Sequence, residues 1–213
     1  HVSSGNYNSK TARLYTDIGL FTASPSIGAD ITDLFNSLTG YSRQRLYRKL
    51  LVAPANMRAR FIELIEREAE HARAGRPARI VAKMNALVDA ETIGAIYRAS
   101  QAGVEVDLIV RGICCLRPGV PGVSDNVRVV SIIGRFLEHS RLFHFANGGA
   151  DEYYVGSADW MPRNFDRRVE AVVPVEDPTL HRRLHSLLAV CLADNRQAWD
   201  LAANGSYTQR TPG

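Results

Sequence analysis

Lysine is nearly missing. Of 26 basic residues among 213, only Lys10, Lys49 and Lys83 are lysines, and the rest are arginines. The planar guanidinium fork suits phosphate oxygens. A GC-rich genome gives the same bias, so the position of each arginine carries more weight than the count. Cysteine is scarce too. Cys114, Cys115 and Cys191 make no disulfide framework, and two adjacent cysteines are poor metal ligands. They read as small reduced thiols, which sets the expected location as cytoplasmic. No apolar run reaches the length of a membrane-spanning helix. No basic stretch followed by an apolar one opens the chain, so no signal peptide is expected. The chain begins at His1 without an initiator Met, which suggests a fragment or a processed product. A net charge of +4 is too modest to name a partner by itself, and leaves room for peripheral membrane association. Short tandem repeats are absent.

What is present is strand–helix alternation. Residues 1–24 read as a loop and then a strand over Arg13–Thr22. Apolar residues from Ile27 to Leu38 recur at helical spacing and stop at Gly40. Residues 41–50 read as an Arg-rich linker, and Leu51–Pro54 as a short strand. A long helix is predicted from Asn56 to Ala74, a strand over Ala78–Asn85, a helix over Ala90–Ala102 and an apolar strand over Val104–Val110. That order is the signature of a parallel βαβ unit. A Gly/Pro-rich loop over 111–126 leads to a strand over Val127–Ile133, then a turn or short helix to His139. Arg141–Ala146 and Tyr153–Ser157 read as strands joined at Asn147-Gly148-Gly149. Arg168–Val175 is a further strand. A last helix runs from Pro178 to about Leu201, followed by a frayed tail. Trp160 and Trp199 are expected core anchors. The fold class is α/β, a mixed sheet of five to seven strands flanked by helices.

Three places carry chemistry. Arg111 leaves the carboxyl end of an apolar strand, where open α/β sheets bind ligands. His139 and Arg141 stand two apart on an extended segment and so project to one face. Gly156-Ser157-Ala158-Asp159 ends the neighbouring strand and offers backbone N–H groups and a hydroxyl to a phosphate. Ser3-Ser4-Gly5-Asn6 echoes that loop at the amino terminus. Two half-sites are therefore expected, the first with its His-x-Lys/Arg partner upstream of His1.

His1–Asp17, Ile109–Pro118, Ser124–Arg128, Ser131–Arg141 and Asn147–Asn164 together resemble type 1 polyphosphate kinase, in its carboxy-terminal segment. The resemblance covers nearly the whole chain. It implies a phospholipase D-like mixed sheet flanked by helices. It also implies that residues 1–48 are the tail of the family's third domain, expected to pack incompletely, and 49–213 its fourth. The implied reaction is reversible transfer of the ATP γ-phosphate to polyphosphate through a phosphohistidine upstream of this chain, so the segment alone is expected to be inactive. ATP or ADP and inorganic polyphosphate are the implied partners. Magnesium is the implied cofactor, with ligands upstream and none in this chain, and the parent is expected to be a homo-oligomer. Tyr15, Arg111 and His139 match nucleotide-contact residues of the family, and His139 is the implied proton donor or charge partner. Lys10, Arg13, Lys83, Arg141, Ser157 and Arg167 are weaker candidates for phosphate or polyphosphate contact.

The sequence departs from the phospholipase pattern. Arg141 stands where that motif has Lys, Asp159 where it has Asn, and Ala146 where it has Asp. The alternative reading is a phospholipase D-like phosphodiesterase or a non-catalytic polyanion-binding module. These departures disfavour the first. Nucleic acid is not an expected partner, because the basic loops offer few aromatics for stacking, only Tyr7, Tyr15, Trp160 and Phe165.

Overall fold

The computed structural model describes residues 1–5, 7–41 and 46–212. Asn6 of the amino-terminal half-site and residues 42–45 of the expected linker lie outside the described residues.

In chain order the elements begin with β1 (Val2–Ser3), a 3₁₀ turn (Thr11–Arg13), β2 (Tyr15–Thr16), β3 (Gly19–Leu20) and α1 (Pro25–Leu38). Next come β4 (Leu51–Ala53), α2 (Met57–Arg73), β5 (Arg79–Met84), α3 (Ala90–Gln101), β6 (Glu105–Val110) and β7 (Val127–Ile132). The remainder are β8 (Leu137–Glu138), β9 (Leu142–Phe145), β10 (Glu152–Gly156), α4 (Pro162–Arg167), β11 (Glu170–Pro174), α5 (Pro178–Ala193), β12 (Ala198–Leu201) and β13 (Tyr207–Gln209).

Among the described residues, nine strands make one sheet in the order β13-β12-β7-β6-β5-β9-β10-β11-β4. The pairs β5–β6 and β6–β7 are parallel, as the βαβ pattern predicts, and the other neighbours are antiparallel. Side chains alternate across the sheet. Ile80, Ala82 and Met84 join Phe61 and Ile65 of α2 and Ile96 of α3 in one core. Val81, Ile109, Leu142 and Val155 face the other way, against Leu184 and Leu188 of α5. Trp160 is fully buried and stacks on Phe143 with ring centroids 5.2 Å apart.

Helix ends follow their caps. Asp89 accepts from the Thr92 N–H at 3.0 Å and starts α3; Asp177 accepts from the Thr179 N–H at 2.8 Å and starts α5. The β9–β10 connection turns on Asn147, Gly148 and Gly149, all at positive φ. Buried Glu68 of α2 ties this turn down, accepting from the Asn147 N–H at 2.8 Å and the Arg79 N–H at 3.2 Å.

Several expectations need correction. The last helix stops at Ala193, because the Asp194 carboxylate accepts the N–H groups of Arg196 and Gln197 and turns the chain. The expected frayed tail is instead β12 and β13, a hairpin added to the edge of the sheet, which is why the sheet is wider than five to seven strands. Trp199 sits on β12 and is only half-buried. The strand expected over Arg13–Thr22 is broken at Asp17-Ile18 into β2 and β3, and β8 replaces the expected turn or short helix before His139. Strand β2 pairs in parallel with β8, and β1 in antiparallel with β3. Helix α1 packs Ile27 against Leu50, Val52 and Val173, while Phe35 and Leu38 in its last turns are exposed.

Gly156 closes β10 where no Cβ fits. A methyl group there would collide with the Ala171 carbonyl oxygen and the Val172 Cα of paired β11. Gly156→Ala should destabilise the protein by about 1–3 kcal/mol, read as a lower urea midpoint at unchanged slope. An unchanged midpoint would mean that the strands separate at no cost.

Candidate active site

The site lies at the carboxyl ends of β5 and β6, beside the junction of β8 with β9. Its frame is a chain of polar contacts through buried groups. Arg141 and Asp159 form a two-pronged pair, Nε to Oδ1 at 3.0 Å and Nη2 to Oδ2 at 3.0 Å, with both side chains nearly inaccessible. The same Asp159 oxygen accepts the Asn85 N–H at 2.7 Å, and the Asn85 amide oxygen accepts from Arg111 Nε at 2.7 Å. The expected pairing of His-x-Arg with Gly-Ser-Ala-Asp is therefore made by Arg141 and Asp159. It extends to Arg111 through Asn85.

His139 sits above this frame. Its backbone N–H donates to the Thr16 carbonyl at 3.1 Å, and its ring lies 4.8 Å from that of Tyr15. Nδ1 is 2.9 Å from Asp17 Oδ1, and Arg141 Nη1 lies 2.9 Å from Nδ1 and 2.8 Å from Nε2. An ionised carboxylate only accepts and a guanidinium only donates. The Asp17 carboxylate favours the tautomer with the proton on Nδ1, which leaves the Nε2 lone pair toward Arg141. Burial lowers the affinity of this imidazole for a second proton, and Arg141 lowers it further, against the opposing pull of Asp17. Asp17 is held in turn by the Ser4 hydroxyl at 2.8 Å, and Arg141 Nη1 reaches the Ser4 carbonyl at 3.0 Å. Gly5 makes the approach possible, because a Cβ there would meet the Asp17 carboxylate. The amino-terminal half-site thus touches the second one directly.

Tyr15 and Arg111 share an open cleft of about 460 Å³ with Leu14, Ile133, Arg135 and Phe136. Tyr15, His139, Arg141 and Arg111 accordingly stand together. Other expected residues do not. Lys10 and Arg13 are exposed on the 3₁₀ turn, and Arg167 is exposed at the end of α4. Ser157 donates its hydroxyl to Glu170 rather than to the cleft. Lys83 is buried and bound to Glu138 and Ser140. Asp17 was not singled out from the sequence.

His144 belongs elsewhere. It is buried on β9 against the Tyr153 ring and 2.7 Å from Asp151 Oδ1. Burial lowers its proton affinity as well, opposed by Asp151. A histidine whose proton affinity falls on folding stabilises the fold fully above the ordinary histidine value of 6.5, and loses that contribution as the pH drops below it. Stability should therefore fall on mild acidification. His144→Gln should flatten that slope in urea titrations at several pH values, and an unaltered slope would assign it to other groups.

A family model described as polyphosphate kinase C-terminal domain 2 matches residues 50–213. The chain belongs to the polyphosphate kinase family. A second model, polyphosphate kinase C-terminal domain 1, matches residues 1–44. The polyphosphate kinase of Thermosynechococcus vestitus is 64% identical over all of this chain, and that of Streptomyces coelicolor 55% identical over 98% of it. The chain spans 29% of the first of these proteins and 28% of the second. The crystal structure of the polyphosphate kinase from Porphyromonas gingivalis superposes on 99% of the chain with a TM-score of 0.94 at 44% identity, and the match takes in 32% of that chain. A phospholipase D family member from Salmonella typhimurium matches 72% of the chain with a TM-score of 0.53 at 14% identity, a likeness of fold. The phospholipase D-like architecture follows. Among the described residues no group of three or more His, Cys, Asp or Glu side chains could hold a metal ion, and no helix is long and apolar enough to cross a membrane.

Proposed function

We propose that this segment supplies the second histidine and one phosphate clamp of an enzyme that reversibly transfers the γ-phosphate of ATP to inorganic polyphosphate. The observation that carries it is His139, neutral and aimed by Asp17 and Arg141 beside the cleft of Tyr15 and Arg111. In this reading residues 1–48 complete a domain that begins upstream, and 49–213 form the last one. The attacking histidine belongs to the upstream part, and magnesium is held there. Arg111 draws in the polyphosphate or nucleotide phosphates, and Tyr15 lies along the nucleoside. An arriving phosphate offsets the charge of Arg141, which raises the proton affinity of His139, and the imidazole takes up a second proton from solvent. The imidazole then passes its proton to the ADP oxygen as the P–O bond breaks. The cytoplasm, where ATP is abundant, is the proposed location.

Labelling with ATP carrying a labelled γ-phosphate, with magnesium, tests this on the full-length protein and on this chain. Acid-labile label should appear on the longer protein alone. Label on this chain would put the nucleophile here, and label on neither would remove the phosphohistidine. A second measurement addresses Arg111. Arg111→Ala should raise the KM for ATP about 10-fold or more, the loss of one charge-assisted clamp. An unchanged KM would exclude it from the nucleotide.

A further inference from the structure

Lys83 is a lysine buried in a sheet. It lies on β5 between Ile109 of β6 and Leu142 of β9, on the face covered by α5, and it is 1% exposed. A buried ammonium is costly unless paired and hydrogen-bonded. Its partners are Glu138 Oε2 at 3.1 Å and Ser140 Oγ at 2.7 Å. Those two residues flank His139. On an extended chain, residues 138 and 140 project to one side and 139 to the other. The ammonium therefore grips both neighbours from behind while the imidazole faces Asp17 and Tyr15.

The surroundings make this grip matter. Strand β8 has two residues, and among the described residues β2 is its only partner strand. Leu137 donates to the Leu14 carbonyl at 2.8 Å and His139 to that of Thr16 at 3.1 Å. These hold the segment from the front, and Lys83 holds it from the body of the large sheet. Without Lys83, Glu138 keeps a partly buried carboxylate with no cation, and both it and Ser140 are free to turn.

We propose that Lys83 is a positioning residue. Paired with Glu138 and Ser140, it fixes the rotation of the backbone at 138–140 and so the direction in which His139 points. It touches neither nucleotide nor polyphosphate. This rests on the reading of His139 given above, and the two are separable by experiment.

The test uses the full-length protein with Lys83→Met, Glu138→Gln, the double variant, Lys83→Arg, and His139→Ala as control. Lys83→Met should lower kcat on the order of 10²-fold, the cost of a misplacement near 1 Å, with the KM for ATP and for polyphosphate unchanged. Lys83→Arg should recover part of that loss. The double variant should be no worse than Lys83→Met alone, because the orphaned carboxylate is gone. The ¹³Cε1 signal of His139, in protein with labelled histidine, should shift in Lys83→Met and titrate differently from wild type. That readout needs no turnover, and a purely structural role would leave it in place. A raised polyphosphate KM with normal kcat would overturn the proposal and restore Lys83 as a phosphate contact. Normal kcat in Lys83→Met with an inactive His139→Ala would also overturn it. An active His139→Ala would instead remove the functional reading on which it rests. If Lys83→Met fails to fold, Ser140→Ala removes the shortest contact and should lower kcat with the same unchanged KM values.

Discussion

Replacing His139 with alanine in the full-length protein should lower kcat for transfer from ATP to polyphosphate by about 10²–10⁴-fold, the usual yield of a positioned proton donor. Stability should change little. The ring is half-buried and contributes to none of the hydrophobic cores. The loss should be in kcat more than in the KM for ATP, since Arg111 and Tyr15 remain to hold the nucleotide. The pH profile gives the sharper check. Wild type should lose one limb of its profile in the variant, and that limb belongs to a histidine whose proton affinity the protein sets below normal in the empty site. If His139→Ala keeps wild-type kcat across the range, His139 moves no proton and the reading of the site fails. His139→Gln refines the point: it keeps hydrogen bonds to Asp17 and Arg141 but cannot deliver a proton, so it should be as slow as alanine.

Asp159→Ala should be the most damaging single change to the fold. It takes both oxygens from a buried guanidinium and the acceptor from the Asn85 N–H together. Breaking a buried pair on one side costs about 3–5 kcal/mol, because a charge is left without its partner. For a chain of this size that is on the order of a 10 °C fall in Tm. The exposed pair of Arg210 with Asp200 is the control. Asp200→Ala should cost below about 1 kcal/mol. Asp159→Asn keeps one acceptor and should lie between. Equal Tm changes for Asp159→Ala and Asp200→Ala would mean that Arg141 reaches water in the unpaired state. Activity should vanish along with the stability, since Arg141 also donates to the ring of His139.

Much of this was legible in the residues. The mainly apolar runs of β5, β6 and β7, buried on both faces, and the 3.6 period of α2 place the main sheet and its helices. His139, Arg141 and Asp159 were visible as two short motifs on adjacent strands. The β12–β13 hairpin was missed although Asn204-Gly205 is a turn signal, because the helical run before it was extended too far. The partners of Lys83 were hidden for a deeper reason. A cation on an apolar strand reads as a ligand contact, and only tertiary packing reveals Glu138 and Ser140 beneath it. Asp17 belongs to the same class. Its partner His139 is far away in sequence, and no local pattern joins them.

The pairing of β2 with β8 brings together residues 121 positions apart. During synthesis the first strand emerges well before the second. At about 5–20 residues per second the delay is on the order of ten seconds. For that interval Tyr15 and Thr16 have no β8 to bind, and Asp17 has no imidazole to orient. By the time β8 emerges, only β4 to β7 of the nine strands of the large sheet have been made. A nascent chain stalled before Leu137 would be a natural place for a chaperone to find an open strand edge.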